Sequence, residues 1–285
     1  MSAITYKCLD FENNRLDKTP FEQMHNKACK NILGIRNNAS GKAAKAELGR
    51  YPVIIYLAQI AIKYYQKISA DCNKLTYHAL VSETMLHSEG KTSWVSYLAK
   101  ILDLTTNTPY TLGCQLNHKS ISKPLENKYN KFFFDSINSE WGNTRVQGNK
   151  LRTYAKFKHS YSMEKYLNLA MPRHIIANLT RFRLSAHNLA IDTGRYTRPV
   201  TPSHERFCQV CQQNFVEDEI HFLFQCNEYQ ELRSNLYDKI NIPQESTDEE
   251  KLNTLMNLDC EDSTKTVANY LYHITQARKN KLNPQ

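Results

Sequence analysis

Four residues toward the C-terminal end of the chain have the types and the spacing of metal ligands. Cys208 and Cys211 form a Cys-x2-Cys pair, nine residues separate Cys211 from His221, and four more separate His221 from Cys226. Three thiolates and one imidazole suit Zn²⁺, which prefers nitrogen and sulfur ligands at the corners of a tetrahedron. Because four protein ligands leave no open position for water, the pattern predicts one structural zinc ion and no zinc-dependent catalysis.

Other chemistries of the same cysteines are less favoured by the surrounding sequence. A redox-active pair at Cys208 and Cys211 would be expected within a βαβ pattern, which the flanking sequence lacks. Iron–sulfur clusters usually take four thiolates. The remaining alternative is an unpaired Cys-x2-Cys with an unrelated His and Cys nearby. Five apolar residues favour zinc, because they can pack a small core that folds only around an ion: Phe207, Phe215, Phe222, Leu223 and Phe224.

Basic residues are concentrated just before this cluster. The chain has 37 Lys and Arg against 28 Asp and Glu, and residues 150–198 alone hold 10 basic against 2 acidic residues. Dense positive charge attracts phosphate, and interleaved aromatics can stack on bases, so RNA or DNA is the expected partner. The alternative is an ordinary solvated helix face. The predicted nucleic-acid contacts are Lys150, Arg152, Lys156, Lys158, Arg173, Arg181, Arg183, Arg195 and Arg198, with the aromatics Tyr154 and Tyr196.

An acidic segment follows the basic one. Residues 217–262 hold 13 acidic against 3 basic residues. Its first part, Glu217 to Glu219, is expected to start the helix that presents His221, because negative charge is favourable at a helix N-terminus. The acidic segment can also cover the basic segment within the same chain and weaken nucleic-acid binding. A different alternative is a protein-interaction scaffold, in which the zinc module and the last helix dock a partner.

The elements that must position these residues are predicted to be helices. Helical spacing of apolar residues, with few Gly and Pro, favours a mainly α chain: a helical bundle with a small zinc-stapled CCHC module near the C-terminus. Thr247 and Glu250 have capping-box spacing. One predicted helix begins at Pro20, another follows Thr92, and further helices follow the cysteine cluster. Between them, helices are predicted over about 52–68, 74–86, 125–141 and 174–184. The helix over 52–68 is apolar on most sides and is therefore expected to be deeply buried. Residues 37–42 are expected to be a loop and 104–120 a connector.

The predicted organisation has four parts: a helical region over 1–149, a basic linker with helices over 150–202, the zinc module over 203–240 and C-terminal helices over 241–285. The first 16 residues are polar and lack the apolar core of a signal peptide, and no stretch of about 18 apolar residues occurs. Reduced thiols and a nuclear or cytoplasmic location are therefore expected, with no membrane partner.

Several motifs occur in a familiar order along nearly the whole chain. The most specific string is Cys208-Gln-Val-Cys211, followed by the segment from Glu217 to Cys226 and by Tyr229 and Arg233. It resembles the zinc-binding region that ends the polymerases of non-LTR, LINE-type retrotransposons. Shorter strings resemble the segments between the polymerase palm and the cysteines, at 29–34, 47–52, 150–167 and 179–196. The resemblance implies element RNA or a primed DNA target as the ligand.

The sequence also departs from that family. Reverse transcriptases hold catalytic metal ions with paired aspartates, and no Asp-Asp dipeptide occurs in this chain. The Pro-Asp signature of the nuclease found after the zinc motif in some members is absent as well. The resemblance therefore implies a template-handling part and not an enzyme. A truncated element copy, a gene adopted by its host and a decayed copy without selected activity all agree with the sequence.

Overall fold

The computed structural model describes residues 19–106, 110, 118–138, 150–242 and 245–283. Every regular element within these ranges is helical, and β structure there is limited to two isolated antiparallel bridges, Leu48 with Met163 and Phe207 with Val216. The predicted mainly α class is confirmed. No helix in the described ranges is long and apolar enough to cross a membrane.

In chain order the α-helices are α1 (Pro20–Leu33), α2 (Gly41–Glu47), α3 (Val53–Ser69), α4 (Leu75–Ser88), α5 (Trp94–Thr106), α6 (His118–Asn138), α7 (Tyr154–Phe157), α8 (Arg173–Arg183), α9 (Ala190–Thr193), α10 (Gln230–Tyr237), α11 (Asp248–Met256) and α12 (Glu261–Leu282). A π-helical turn covers His221–Gln225. The chain divides into two compact units, residues 1–27 with 50–135 and residues 28–49 with 136–285. The predicted four-part division stays a prediction.

The first unit is built on α3, α4 and α5, which pack against one another. Ile55 and Ile62 of α3 and Leu98 of α5 are almost completely buried. The expected deep burial of α3 is wrong for one side of the helix, since its Ile60 is 57% exposed. A helix that is apolar on most sides still buries only the sides that its neighbours reach.

The second unit is built on α8 and α12, which pack along each other. α8 buries Ile175, Leu179 and Phe182, at the three- and four-residue spacing of one helix face. α10 packs on α12, and α11 packs on α7. Thr247 and Glu250 form the predicted capping box, with the Glu250 amide donating to Thr247 Oγ1 at 3.3 Å. These helices supply the frame on which the cysteine cluster is held.

One helix lies where the sequence predicts a loop. α2 begins inside the expected loop 37–42, and Ser40 Oγ caps it by accepting from the Ala43 amide at 3.3 Å. Its alanines are buried without forming a long apolar stripe, so periodicity does not reveal it. The predicted connector over 104–120 and the end of the helix predicted to reach residue 141 lie mostly outside the described residues.

Candidate metal centre

Cys208 and Cys211 lie in a short hairpin. Phe207 and Val216 form its antiparallel bridge, and the Cys208 amide donates to the Phe215 carbonyl at 2.8 Å. Gln212, within the turn, has a φ of 53°, a left-handed conformation that lets the chain reverse tightly after the second cysteine. The hairpin therefore presents both sulfurs from a backbone that is fixed on either side of the turn.

His221 and Cys226 lie at the two ends of the π-helical turn. Five positions apart on an α-helix, two side chains point about 140° away from each other. Here the Cys226 amide donates to the His221 carbonyl at 2.8 Å, which is the five-residue hydrogen bond of a π turn. Because this turn holds more residues, it brings the two ligands back toward one side. Asp218 Oδ1 caps the turn by accepting from the His221 amide at 2.8 Å.

The four predicted ligands converge. Their donor atoms all lie within 4.8 Å of one another, and Cys211 Sγ is 3.5 Å from His221 Nε2. Ligands of a tetrahedral zinc–thiolate site are separated by about 3.8 Å, since Zn–S bonds are about 2.3 Å long. Cys208, His221 and Cys226 are buried and Cys211 is half-buried, so solvent has little access. The cluster can hold one metal ion, and its three sulfurs and one imidazole fit Zn²⁺.

The pKa shifts of the three thiols differ in direction, and a bound cation would act on all three. A hydrogen bond from Cys226, aided by His221 and by the amides of Cys211 and Val210, lowers the pKa of Cys208 despite its burial. The same hydrogen bond, together with burial, raises the pKa of Cys226. Burial raises the pKa of Cys211. A cation coordinated by the three sulfurs would favour the thiolate form of all of them.

A search of protein-family models, curated proteins and solved structures finds no match for this chain. Three acidic residues lie beside the ligands, Glu217 to Glu219, and the sequence predicts them only as the start of a helix. Asp218 does cap the turn, but Glu217 and Glu219 are buried in ion pairs beside the ligands.

Glu217 connects the cysteine hairpin to the last helix. Both of its carboxylate oxygens accept from Arg278 of α12, at 2.6 and 2.7 Å. One of these oxygens lies 3.9 Å from Cys208 Sγ, and the other accepts from the Ala190 amide at 2.7 Å. Such bidentate Arg–carboxylate pairs fix the relative orientation of the two side chains as well as pairing their charges. Arg278 is 61 residues from Glu217, so no local pattern in the sequence predicts the pair.

Glu219 connects the ligand segment to the basic segment. It is 1% exposed, pairs with Arg152, and lies 3.1 Å from His187 Nε2. Burial raises the pKa of Glu219, but the hydrogen bond and charge of His187 and the charge of Arg152 outweigh it and lower the pKa to about 2. Arg152 is thus bound to a buried carboxylate, which gives this predicted nucleic-acid contact a structural role.

Three further predicted nucleic-acid contacts lie in the core of the second unit. Tyr154, Lys158 and Arg183 are each no more than 2% exposed. Arg183 Nε donates to Glu47 Oε1 at 2.6 Å, and the Tyr154 hydroxyl donates to the other oxygen at 2.9 Å. Lys158 pairs with Glu164. These three side chains stabilise the fold and do not face a phosphate on the surface.

Carboxylates also engage other residues of the predicted contact set. The hydroxyl of Tyr196, which is 53% exposed, accepts from Lys150 Nζ at 3.0 Å, and the same ammonium lies over the Tyr196 ring, 5.5 Å from its centroid. The ion pairs are Lys150 with Asp192 at 3.2 Å, Arg195 with Asp192 at 3.9 Å, and Lys156 with Glu249 at 2.5 Å. Much of the positive charge in 150–198 is therefore neutralised within the chain.

The remaining arginines keep their charge at the surface. Arg173, Arg181 and Arg198 are exposed, and none has a carboxylate at ion-pair distance among the described residues. Arg173 donates to the Asn31 carbonyl at 3.0 Å, and Arg181 donates to the Gly34 carbonyl. These bonds satisfy carbonyls at the C-terminal end of α1, where positive charge is favourable. The exposed faces of the guanidinium groups are available to an anion.

Proposed function

We propose that this chain is a zinc-stabilised nucleic-acid-binding module. The observation that carries the proposal is the closed cluster of three cysteines and one histidine. Glu217 ties this cluster to α12, and α12 packs along α8, the helix that carries the exposed Arg173 and Arg181. The formal net charge of +9 favours an anionic partner. The proposal assigns no catalytic residue.

The proposed role of the zinc ion is to fix the hairpin and the π turn in place. Phe222 follows a ligand directly, is 2% exposed, and packs near Phe182 of α8 with ring centroids 6.5 Å apart. The zinc module thus contributes to the same core as the helix that carries Arg173 and Arg181. By the order of its motifs, we propose that the chain corresponds to the C-terminal part of a LINE-type polymerase, with RNA or DNA as its ligand.

Replacement of Arg173, Arg181 and Arg198 together by Gln is expected to weaken the salt dependence of RNA binding. Each lost phosphate contact changes the slope of log K against log salt by about 0.7 for a single strand, so the slope should become less negative by about 2. Filter-binding titrations of the full chain at several salt concentrations measure it. Circular dichroism checks that the variant is folded.

The matched control replaces three exposed lysines that lie outside the proposed surface, Lys67, Lys239 and Lys279, by Gln. The control has the same net charge as the arginine variant, so it separates a local contact from a general loss of charge. An unchanged slope in the arginine variant, or an equal change in both variants, would contradict the proposed interface.

Exposed ion pairs join the acidic segment (217–262) to the basic segment (150–198). They support an acidic cover, in which the acidic segment occupies the basic one within the same chain and weakens nucleic-acid binding. Lys156 pairs with Glu249 of α11, and Lys165 pairs with Asp259 at 2.6 Å. We expect the variant Glu249→Gln with Asp259→Asn to bind RNA roughly two- to fivefold more tightly, because surface pairs of this kind are weak and yet occupy the lysines. Glu231→Gln, which is exposed and outside these pairs, is the control.

Equal RNA affinity of the double variant and the wild type would contradict the acidic cover. Deletion of residues 244–285 is not a usable test of it. α12 packs on α8, and its Arg278 holds the buried Glu217, so removing that helix would disturb the metal centre at the same time.

A further inference from the structure

A small cavity of about 80 Å³ lies where α8, the loop after it, the zinc module and α12 meet. The polar residues Arg36, Asn178, Arg181 and Asn188 line it, and Arg278 forms part of its wall. Phe222, next to the predicted ligand His221, forms part of the apolar wall. A single water needs only about 10–15 Å³ of such space, so the cavity has room for a group of several atoms.

Three arginines at this cavity have donors to spare. Arg181 uses Nε and Nη2 on the Gly34 carbonyl, at 3.0 and 2.6 Å, which leaves Nη1 without a partner among the described residues. Arg278 uses the same two nitrogens on Glu217. Arg36 is exposed, and its side chain makes no hydrogen bond or ion pair within the part of the chain that the structure describes. A guanidinium carries five N–H donors, so this cavity has several unused ones.

The electrostatics of the cavity favour an anion. Partial burial and the neighbouring charge of Arg36 lower the pKa of Arg181, and both arginines line the cavity, so two positive charges lie close together there. No Asp or Glu of the described residues lines the cavity. The nearest carboxylates of the metal centre, Glu217 and Glu219, already pair with Arg278 and Arg152. An oxyanion would relieve the repulsion and accept hydrogen bonds in the geometry that arginine suits best.

We propose that this cavity binds a phosphate group, with Arg36 and Arg181 as its main ligands. The assignment of that phosphate to a nucleic acid rests on the function proposed above, whereas the affinity for phosphate itself does not. A terminal monoester and an internal diester share this chemistry. Because Phe222 forms one wall, the cavity should be complete only when the neighbouring metal centre is folded.

Arg36→Gln is the test variant, because a side chain that makes no hydrogen bond or ion pair can be replaced without disturbing the fold. Isothermal titration of the metal-loaded full chain with inorganic phosphate should show one binding site, and Arg36→Gln should weaken it roughly tenfold or more. Lys279→Gln, the same charge change on the residue after Arg278, is exposed outside the cavity and should bind like the wild type. No phosphate binding, or equal binding by Arg36→Gln, would overturn the proposal.

The affinities for single-stranded RNA with a 5′-phosphate and with a 5′-hydroxyl distinguish a terminal monoester from an internal diester as the group that the cavity binds. Preference for the phosphorylated strand that disappears in Arg36→Gln assigns the cavity to a terminal monoester. Equal affinity for both strands, lowered in Arg36→Gln, assigns it to an internal diester. If Arg36→Gln loses phosphate binding but binds RNA as the wild type does, the assignment of the cavity to nucleic acid is overturned. The salt titration then tests the other arginines of the proposed interface independently.

Discussion

Removal of the metal is expected to unfold the cysteine module and to destabilise the second unit around it. Structural zinc contributes about 10–16 kcal/mol of apparent binding free energy in small zinc-dependent domains, as much as the whole stability of an ordinary domain. The π turn buries Phe222 and Leu223, but the hairpin that holds Cys208 and Cys211 leaves its own Phe207 and Phe215 largely exposed. Without a cation the hairpin therefore has few apolar contacts to hold its two cysteines beside the π turn.

Chelator treatment and Cys226→Ser should both produce this loss. Hydrogen exchange is expected to become fast over 203–240, and the thermal transition of the second unit should shift to lower temperature. Cys260→Ser is the matched control, since Cys260 is exposed, lies outside the cluster, and precedes α12, where Ser is a good N-cap. Unchanged exchange after chelation, or equal effects of both serine variants, would contradict a structural metal.

Arg183→Ala is expected to lower the free energy of unfolding by about 3–5 kcal/mol, because it leaves the carboxylate of Glu47 buried without its cation. Arg183 donates to Glu47 Oε1, to the Met256 carbonyl at 2.5 Å, and lies 2.9 Å from Glu164 Oε2. Arg183 is 2% exposed and Glu47 is completely buried. Chemical denaturation of the full chain, followed by circular dichroism, measures the change.

Two controls separate the buried charge from the loss of a large side chain. Arg36→Ala removes the same group from an exposed position and should change stability little. Arg183→Met combined with Glu47→Gln removes both charges and should recover part of the loss, as a coupled pair requires. A double variant that is as unstable as the sum of the single variants Arg183→Met and Glu47→Gln would show that charge pairing is not the cause.

The cluster of candidate metal ligands was predictable because its pattern is local. All four lie within 19 residues, and Cys-x2-Cys followed by His-x4-Cys restricts the metal before any fold is known. The longer helices were predictable for the same reason, since apolar periodicity, Gly34 and the Thr247 cap act over a few residues, whereas the short α2 was not. The π turn was not predicted, although a five-residue spacing on one helical turn already implies more residues per turn than an α-helix has.

The basic segment shows what a sequence pattern leaves undecided. Arg181 and Arg183 are two positions apart, so they point about 160° away from each other around α8. One is exposed and the other is among the most buried side chains of the unit. Arg36 lies outside the basic segment altogether, and the partners of Glu47 and Glu217 are 136 and 61 residues away. Only tertiary contacts determine which charges are neutralised and which remain at the surface.

The absorption spectrum of the full chain titrated with Co²⁺ tests the metal centre most directly, because Co²⁺ reports both ligand type and geometry where Zn²⁺ is silent. Coordination by three sulfurs and one imidazole predicts saturation at one ion per chain, strong visible bands of tetrahedral Co²⁺, sulfur-to-metal charge transfer in the near ultraviolet, and displacement of the cobalt by one equivalent of Zn²⁺. A weak octahedral spectrum, no saturation at one equivalent, or the same spectrum from Cys226→Ser would contradict it.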